Sequence, residues 1–119
     1  MPLSSAPRVD AELAGKRAEL AELEAQRLQQ RAQIVRAVES AQRDLEATQR
    51  SLDLAGSRAT LSTDTLQLVQ KSFALGETDL ATLIRRRAEF FAVEAERTRQ
   101  LRARSAAISK LNQVLGGLP

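Results

Sequence analysis

Residues 73–80, Phe-Ala-Leu-Gly-Glu-Thr-Asp-Leu, decide how this chain folds. Gly76 can take a positive φ and end one helix. Thr78 or Asp79 offers a side-chain oxygen that can cap the next. On either side run long segments rich in Ala, Leu, Arg and Glu, with few other helix breakers. The stretch therefore predicts an all-α fold: a long antiparallel α-helical hairpin of coiled-coil type, with one long and one shorter helix and an exposed tip turn at residues 76–78.

Toward the N-terminus, residues 1–7 (Met-Pro-Leu-Ser-Ser-Ala-Pro) read as a non-helical lead-in, because Pro7 pushes Ala6 away from helical angles. Pro7 itself suits a first turn, so helix one is expected over residues 8–75. Its weakest part is 53–65, where Gly56, Ser57 and several threonines could form a loop and turn the chain into a three-helix bundle. The hydrophobic phase argues against a loop. Val38, Leu45, Leu52, Ala59, Leu66 and Phe73 recur every seventh residue straight through it. The interleaved Ile34, Ala41, Thr48, Ala55, Ser62 and Val69 are mostly small, and a seam that alternates large with small lets two helices approach closely.

Toward the C-terminus, helix two is expected over residues 79–115. Leu80, Ile84, Phe91, Leu101, Ile108, Leu111 and Leu115 supply its apolar positions, and Leu83, Phe90 and Val93 widen the face. A face that broad is expected to meet more than one neighbour. Gly116-Gly117-Leu118-Pro119 then stops the helix. At about 1.5 Å per residue the helices would measure roughly 100 Å and 55 Å. Helix two therefore covers only about residues 36–73. Leu13, Leu20, Leu23, Leu28 and Ile34 in residues 8–35 are left to seek another chain. Glu12–Lys16, Glu39–Arg43, Glu46–Arg50 and Arg85–Glu89 lie four apart, as expected of solvated helix faces.

Composition narrows the chemistry. The 119 residues contain neither Cys nor His, which removes thiolate chemistry, disulfides, imidazole ligands and the commonest general base. Net charge is +3, with acids and bases interspersed rather than gathered into a nucleic-acid footprint. Arg85-Arg86-Arg87 point in three directions about 100° apart and cannot form one basic stripe. Acid pairs such as Glu19/Glu22 and Glu94/Glu96 have no convergent partner and read as solvated surface. No phosphate loop, nucleophile elbow or metalloprotease motif occurs. No cofactor, metal, catalytic residue or nucleic acid is expected, and the chain does not read as an enzyme. No apolar run approaches the ~18 residues of a spanning helix. The N-terminus lacks the blocks of a signal peptide, so an exported parent would make this chain a piece of a longer protein.

The tip, from Phe73-Ala-Leu-Gly76-Glu-Thr-Asp-Leu80 on to Ala-Thr-Leu-Ile84, followed by Leu111-Asn-Gln-Val-Leu-Gly116-Gly-Leu-Pro119, resembles the TolC-like outer-membrane efflux proteins, in particular the heavy-metal-efflux branch. The helix around Ile34-Val-Arg-Ala-Val38 and Ala41-Gln-Arg-Asp-Leu45 is similar to that family's helix before the turn, and Pro2-Leu3 to the point where its chain leaves the barrel. The resemblance implies a homotrimeric parent spanning the outer membrane, with a helical tunnel in the periplasm. It implies as partners a periplasmic adaptor and an inner-membrane pump. This chain would be the periplasmic helical part of one repeat. The family's aromatic-x-x-Gly turn closes the tunnel entrance and meets the adaptor. The implied adaptor-contact and gate residues are therefore Phe73, Leu75, Gly76, Glu77, Thr78 and Asp79. Two departures matter. Phe73 has no hydroxyl where some relatives have Tyr, and Thr82 stands where an acid is often found. Arg85, with Glu77 and Asp79, would have to supply any gate ion pair.

Two other readings remain. Adaptor hairpins carry Arg-x3-Leu-x6-Ser near the tip; Arg50 and Leu54 fit, but position 61 is Leu. A stand-alone structural coiled coil needs no membrane parent. By itself the chain is expected not to build a native tunnel but to form a non-native dimer through residues 8–35.

Overall fold

The computed structural model describes residues 5–117. It contains two helices, α1 (Ser5–Ala74) and α2 (Leu80–Gly116), and among the described residues there is no strand. The chain divides into two units, Met1–Ala37 and Val38–Pro119. The second holds the hairpin.

Helix α1 begins at Ser5, three residues before the expected start. The correction has a simple cause. The first-turn N–H groups of a helix have no intrahelical acceptor, so Pro7 forfeits nothing there and its fixed φ already suits the helix. The rest of the expected lead-in, residues 1–4, lies outside the described residues.

Within the hairpin unit, the doubtful stretch 53–65 is helical and Gly56 lies inside α1. Two of its hydroxyl residues, Thr60 and Thr63, bond back to the helix. Thr60 Oγ1 donates to the Gly56 carbonyl at 3.2 Å and Thr63 Oγ1 to that of Ala59 at 2.9 Å. Thr48 does the same to Leu45 at 2.9 Å. Such bonds satisfy a polar side chain on a helix without a tertiary partner.

The seven-residue repeat is the packing seam. Ala41, Ala55 and Ala59 are the buried residues, and Val38, Leu45, Thr48, Leu52, Ser62, Leu66 and Val69 are half-buried along the same line. Small side chains let α2 lie close, but they remove little apolar surface from water. With roughly 25 cal/mol per Å² as the return on burial, an alanine seam holds two helices together only modestly. No residue of α2 is fully buried.

The face that α2 turns toward α1 differs in part from the expected one. Ile108 and Leu111, expected on the main face, and Leu83, Phe90 and Val93, expected to widen it, are half-buried, together with Ala107, Val114, Gln100 and Arg104. Leu80, Ile84, Phe91, Leu101 and Leu115 are exposed, although the count of bulky residues placed them on the main apolar face. Register explains the difference. Ser72 Oγ meets Thr78 Oγ1 beside the turn, and Arg104 Nε donates to Gln49 Oε1 at 2.6 Å farther down. These cross-links set Leu83 and Phe90 toward α1. Their successors Ile84 and Phe91 are then rotated about 100° away. The Phe90 and Phe91 rings touch edge to face, with centroids 5.5 Å apart and planes at 70°.

In the first unit, every residue over 6–37 except Ile34 is exposed, including Val9, Leu13, Leu20, Leu23, Leu28 and Val35.

Candidate functional site at the hairpin tip

The reversal is closed by backbone geometry. Gly76 has φ +76, the left-handed conformation that disfavours any residue with a Cβ. Around it the Glu77 N–H donates to the Ser72 carbonyl at 2.9 Å and the Gly76 N–H to the Phe73 carbonyl at 3.0 Å. These two bonds make up a Schellman motif, which satisfies carbonyls that the end of α1 would leave free. The Leu75 N–H reaches the Lys71 carbonyl at 3.1 Å, and Lys71 places a positive charge in the last turn, where the helix dipole favours it.

Asp79 opens α2. Its backbone is extended, with φ −81 and ψ 163, and its Oδ1 accepts from the Thr82 N–H at 3.0 Å. Hydrogen bonds from the Thr82 side chain and backbone, with the Arg85 charge as a smaller contribution, hold the Asp79 carboxyl below its ordinary value. Of the two cap candidates, Asp79 takes the role. Thr78 instead turns its hydroxyl to Ser72, bridging the two helix ends.

Arg85 forms no ion pair at the tip. The ion pairs among the described residues are Arg86–Glu89, at 2.8 Å, and Arg99–Glu96, both three residues apart rather than the four expected. Glu96 also accepts from Gln100 at 2.8 Å, and this bond, with Arg99, lowers the Glu96 carboxyl below its ordinary value.

Between turn and cap the side chains project outward. Leu75 is 73% exposed, Leu80 56% and Ile84 58%, with Phe73 partly uncovered beside them. Glu77 and Asp79 are exposed and Thr78 is half-buried. The turn needs none of these apolar groups for its closure. The turn region thus presents exposed apolar side chains beside two exposed carboxylates, Glu77 and Asp79.

Two apolar stripes lead away from the tip on opposite sides of the hairpin. On α1 and just past its end, Leu54, Leu61, Leu68 and Leu75 recur every seventh residue and are all exposed. Leu61 borders a shallow groove of about 260 Å³, with Arg58, Ser62 and Thr65 facing Arg86, Glu89 and Val93. Glu89 precedes the inward-facing Phe90 by one residue, whereas Phe91 follows it. At about 100° per residue the two lie on opposite flanks of α2. Leu61 is therefore on one flank of the hairpin, and Ile84 and Phe91 are on the other.

Two contacts at this site carried no signal in the hydrophobic pattern. Both Ser72–Thr78 and Gln49–Arg104 are polar links across the pair. Among the described residues no helix is long and apolar enough to cross a membrane, and no group of three or more acidic, His or Cys side chains could hold a metal ion. Comparison of the chain with protein-family models, with curated proteins and with solved structures finds no match.

Proposed function

We propose that this chain is the periplasmic helical hairpin of an outer-membrane efflux channel of the TolC-like type, and that its tip is the docking point for a periplasmic adaptor. The observation that carries the reading is the tip. Backbone bonds and one cap close the turn, yet Leu75, Leu80 and Ile84 stay uncovered around it. A turn whose only task was to connect two helices would not need exposed leucines. Several apolar side chains left open around one turn, beside Glu77 and Asp79, are a mark of protein contact. The spelling Phe73-Ala-Leu-Gly76 supports the same assignment.

The two flank stripes support the wider architecture. A hairpin with leucines on one side and Ile84 and Phe91 on the other can be clasped from both sides, as a stave in the wall of a tube is. In this role the chain is a passive conduit. An inner-membrane pump supplies the energy, and the adaptor couples the two. The hairpin contains no His or Cys, so selection of a soft or borderline metal cargo belongs to other parts of the machine.

The test is made in the exporting parent channel. Glu77→Arg reverses the charge at the rim of the cluster without touching the backbone bonds of the turn. Gly76→Pro destroys the positive φ. Both should reduce export, and Glu77→Arg should do so with normal amounts of channel in the membrane. Export unchanged in both variants would refute the assignment of the tip.

A further inference from the structure

We infer that residues 8–34 of α1 form a two-fold antiparallel contact with the same residues of a second copy of this chain. The inference does not rest on the functional reading above. It starts from an uncovered stripe. Val9, Leu13, Leu20 and Leu23 are each about half exposed or more, and at about 100° per residue they fall within an arc of roughly 80° on one side of the helix. Four such side chains on one line in water favour a covering partner.

Charge identifies the partner. Directly beside the stripe run Asp10, Arg17, Glu24 and Arg31, every seventh residue and alternating in sign. Reversed end for end, this row is its own complement: Asp10 comes opposite Arg31 of the partner and Arg17 opposite Glu24. The two-fold axis repeats both pairs, giving four attractions. The same register lays Leu20 against Leu23, Val9 against the half-buried Ile34, and Leu13 against the stem of Gln30, in the two copies. The other edge of the stripe carries Glu12, Glu19, Gln26 and Gln33. There the register sets glutamate against glutamine, with no like-charge contact. A parallel pair gains nothing from the same charges, because its Glu12–Arg17 attraction is offset by Glu19 opposite Glu24 of the partner, by the usual flanking geometry of parallel coiled coils.

The register also contains its own weakness. Lys16 and Arg27 lie on the stripe and share a layer. Their long stems can cover apolar surface while the charges reach water, and Glu12 and Glu19 stand one turn from Lys16. Like charges in one layer weaken a pair of helices, and the flanking charge row, not this layer, sets orientation and register. The contact is therefore weak and reversible.

Sedimentation of the intact 119-residue chain over a wide concentration range should show a monomer–dimer equilibrium. Arg17→Glu alone, or Glu24→Arg alone, turns two attractions per dimer into repulsions and should weaken dimerisation roughly tenfold. The double variant Arg17→Glu/Glu24→Arg should return to within about twofold of the parent chain. The chain has no cysteine, so orientation can be read without background. A mixture of Arg17→Cys and Glu24→Cys chains should be joined by a short bis-maleimide, and Arg17→Cys alone should not. A monomer at every concentration would overturn the inference. So would efficient self-linking of Arg17→Cys, or failure of the double charge swap to restore the dimer.

Discussion

Replacing Gly76 by alanine isolates the energetic cost of the chain reversal. A Cβ built on Gly76 meets no atom within 4 Å, so the substitution creates no clash, but the backbone sits at φ +76. An L-residue held there costs about 1–2 kcal/mol. Alanine also narrows the unfolded ensemble, which offsets about 0.4–1 kcal/mol of that. The net loss is about 1 kcal/mol, or roughly 4–8 °C in Tm for a unit of this size. Gly56 provides the control. A Cβ there also meets nothing within 4 Å, but Gly56 lies inside α1 with ordinary helical backbone. Gly56→Ala should therefore stabilise by about 0.5–1 kcal/mol. The two Gly→Ala changes have opposite signs for one reason, the sign of φ. Asparagine tolerates the left-handed region better than alanine, so Gly76→Asn should fall between Gly and Ala, and Gly76→Val below both. Thermal unfolding followed by circular dichroism at 222 nm reads the series. If Gly76→Ala were neutral or stabilising, like Gly56→Ala, the reversal would not be where the argument puts it.

Other expectations concern the seam, the cap and the clamp. Ala55→Leu or Ala59→Leu forces bulk into a seam that is closed at those points, and denaturant unfolding should show a loss of about 1–3 kcal/mol. The Asp79 and Glu96 carboxyls lie below their ordinary values in the folded hairpin. What they contribute is present above the unfolded carboxylate range and is lost as pH falls through the lowered folded values. A Tm profile should therefore drop on the acid side, and Asp79→Asn, which still caps but does not titrate there, should flatten part of that drop. Arg104→Met keeps the length of the side chain but removes its bond to Gln49, so hydrogen exchange should quicken in the half of α2 beyond residue 100 more than near the tip.

How much of this was legible in the sequence depends on which residues carry each feature. The turn was readable because only a few residue types can do its work: Gly76 for the positive φ and Asp79 for the cap. The helical course of 53–65 was readable because phase persists through Gly56 even where helix propensity fails, and Thr60 and Thr63 then satisfy themselves on the helix. The inward face of α2 was partly misjudged because its seam uses Ala107, Gln100 and Arg104 among its members, so a search for bulky apolar residues selects Ile84, Phe91 and Leu101 on the outer side. Their exposure is informative in retrospect, since surplus apolar residues on a two-helix unit need a second neighbour. The start of α1 is less legible, because Pro7 disfavours helical angles at Ala6 in general and yet a helix's first turn accommodates both. The polar links Ser72–Thr78 and Gln49–Arg104 join residues far apart in sequence or across a turn, and no local pattern announces them.

Attachment of a photo-crosslinking amino acid at position 77 of the exporting parent channel, in living cells, tests the central claim most directly. Adducts with the periplasmic adaptor should form at position 77, and far fewer should form from a matched exposed site such as Ser57 on the shaft. Equal labelling from both positions, or no adaptor adduct at 77 while export proceeds normally, would contradict the account.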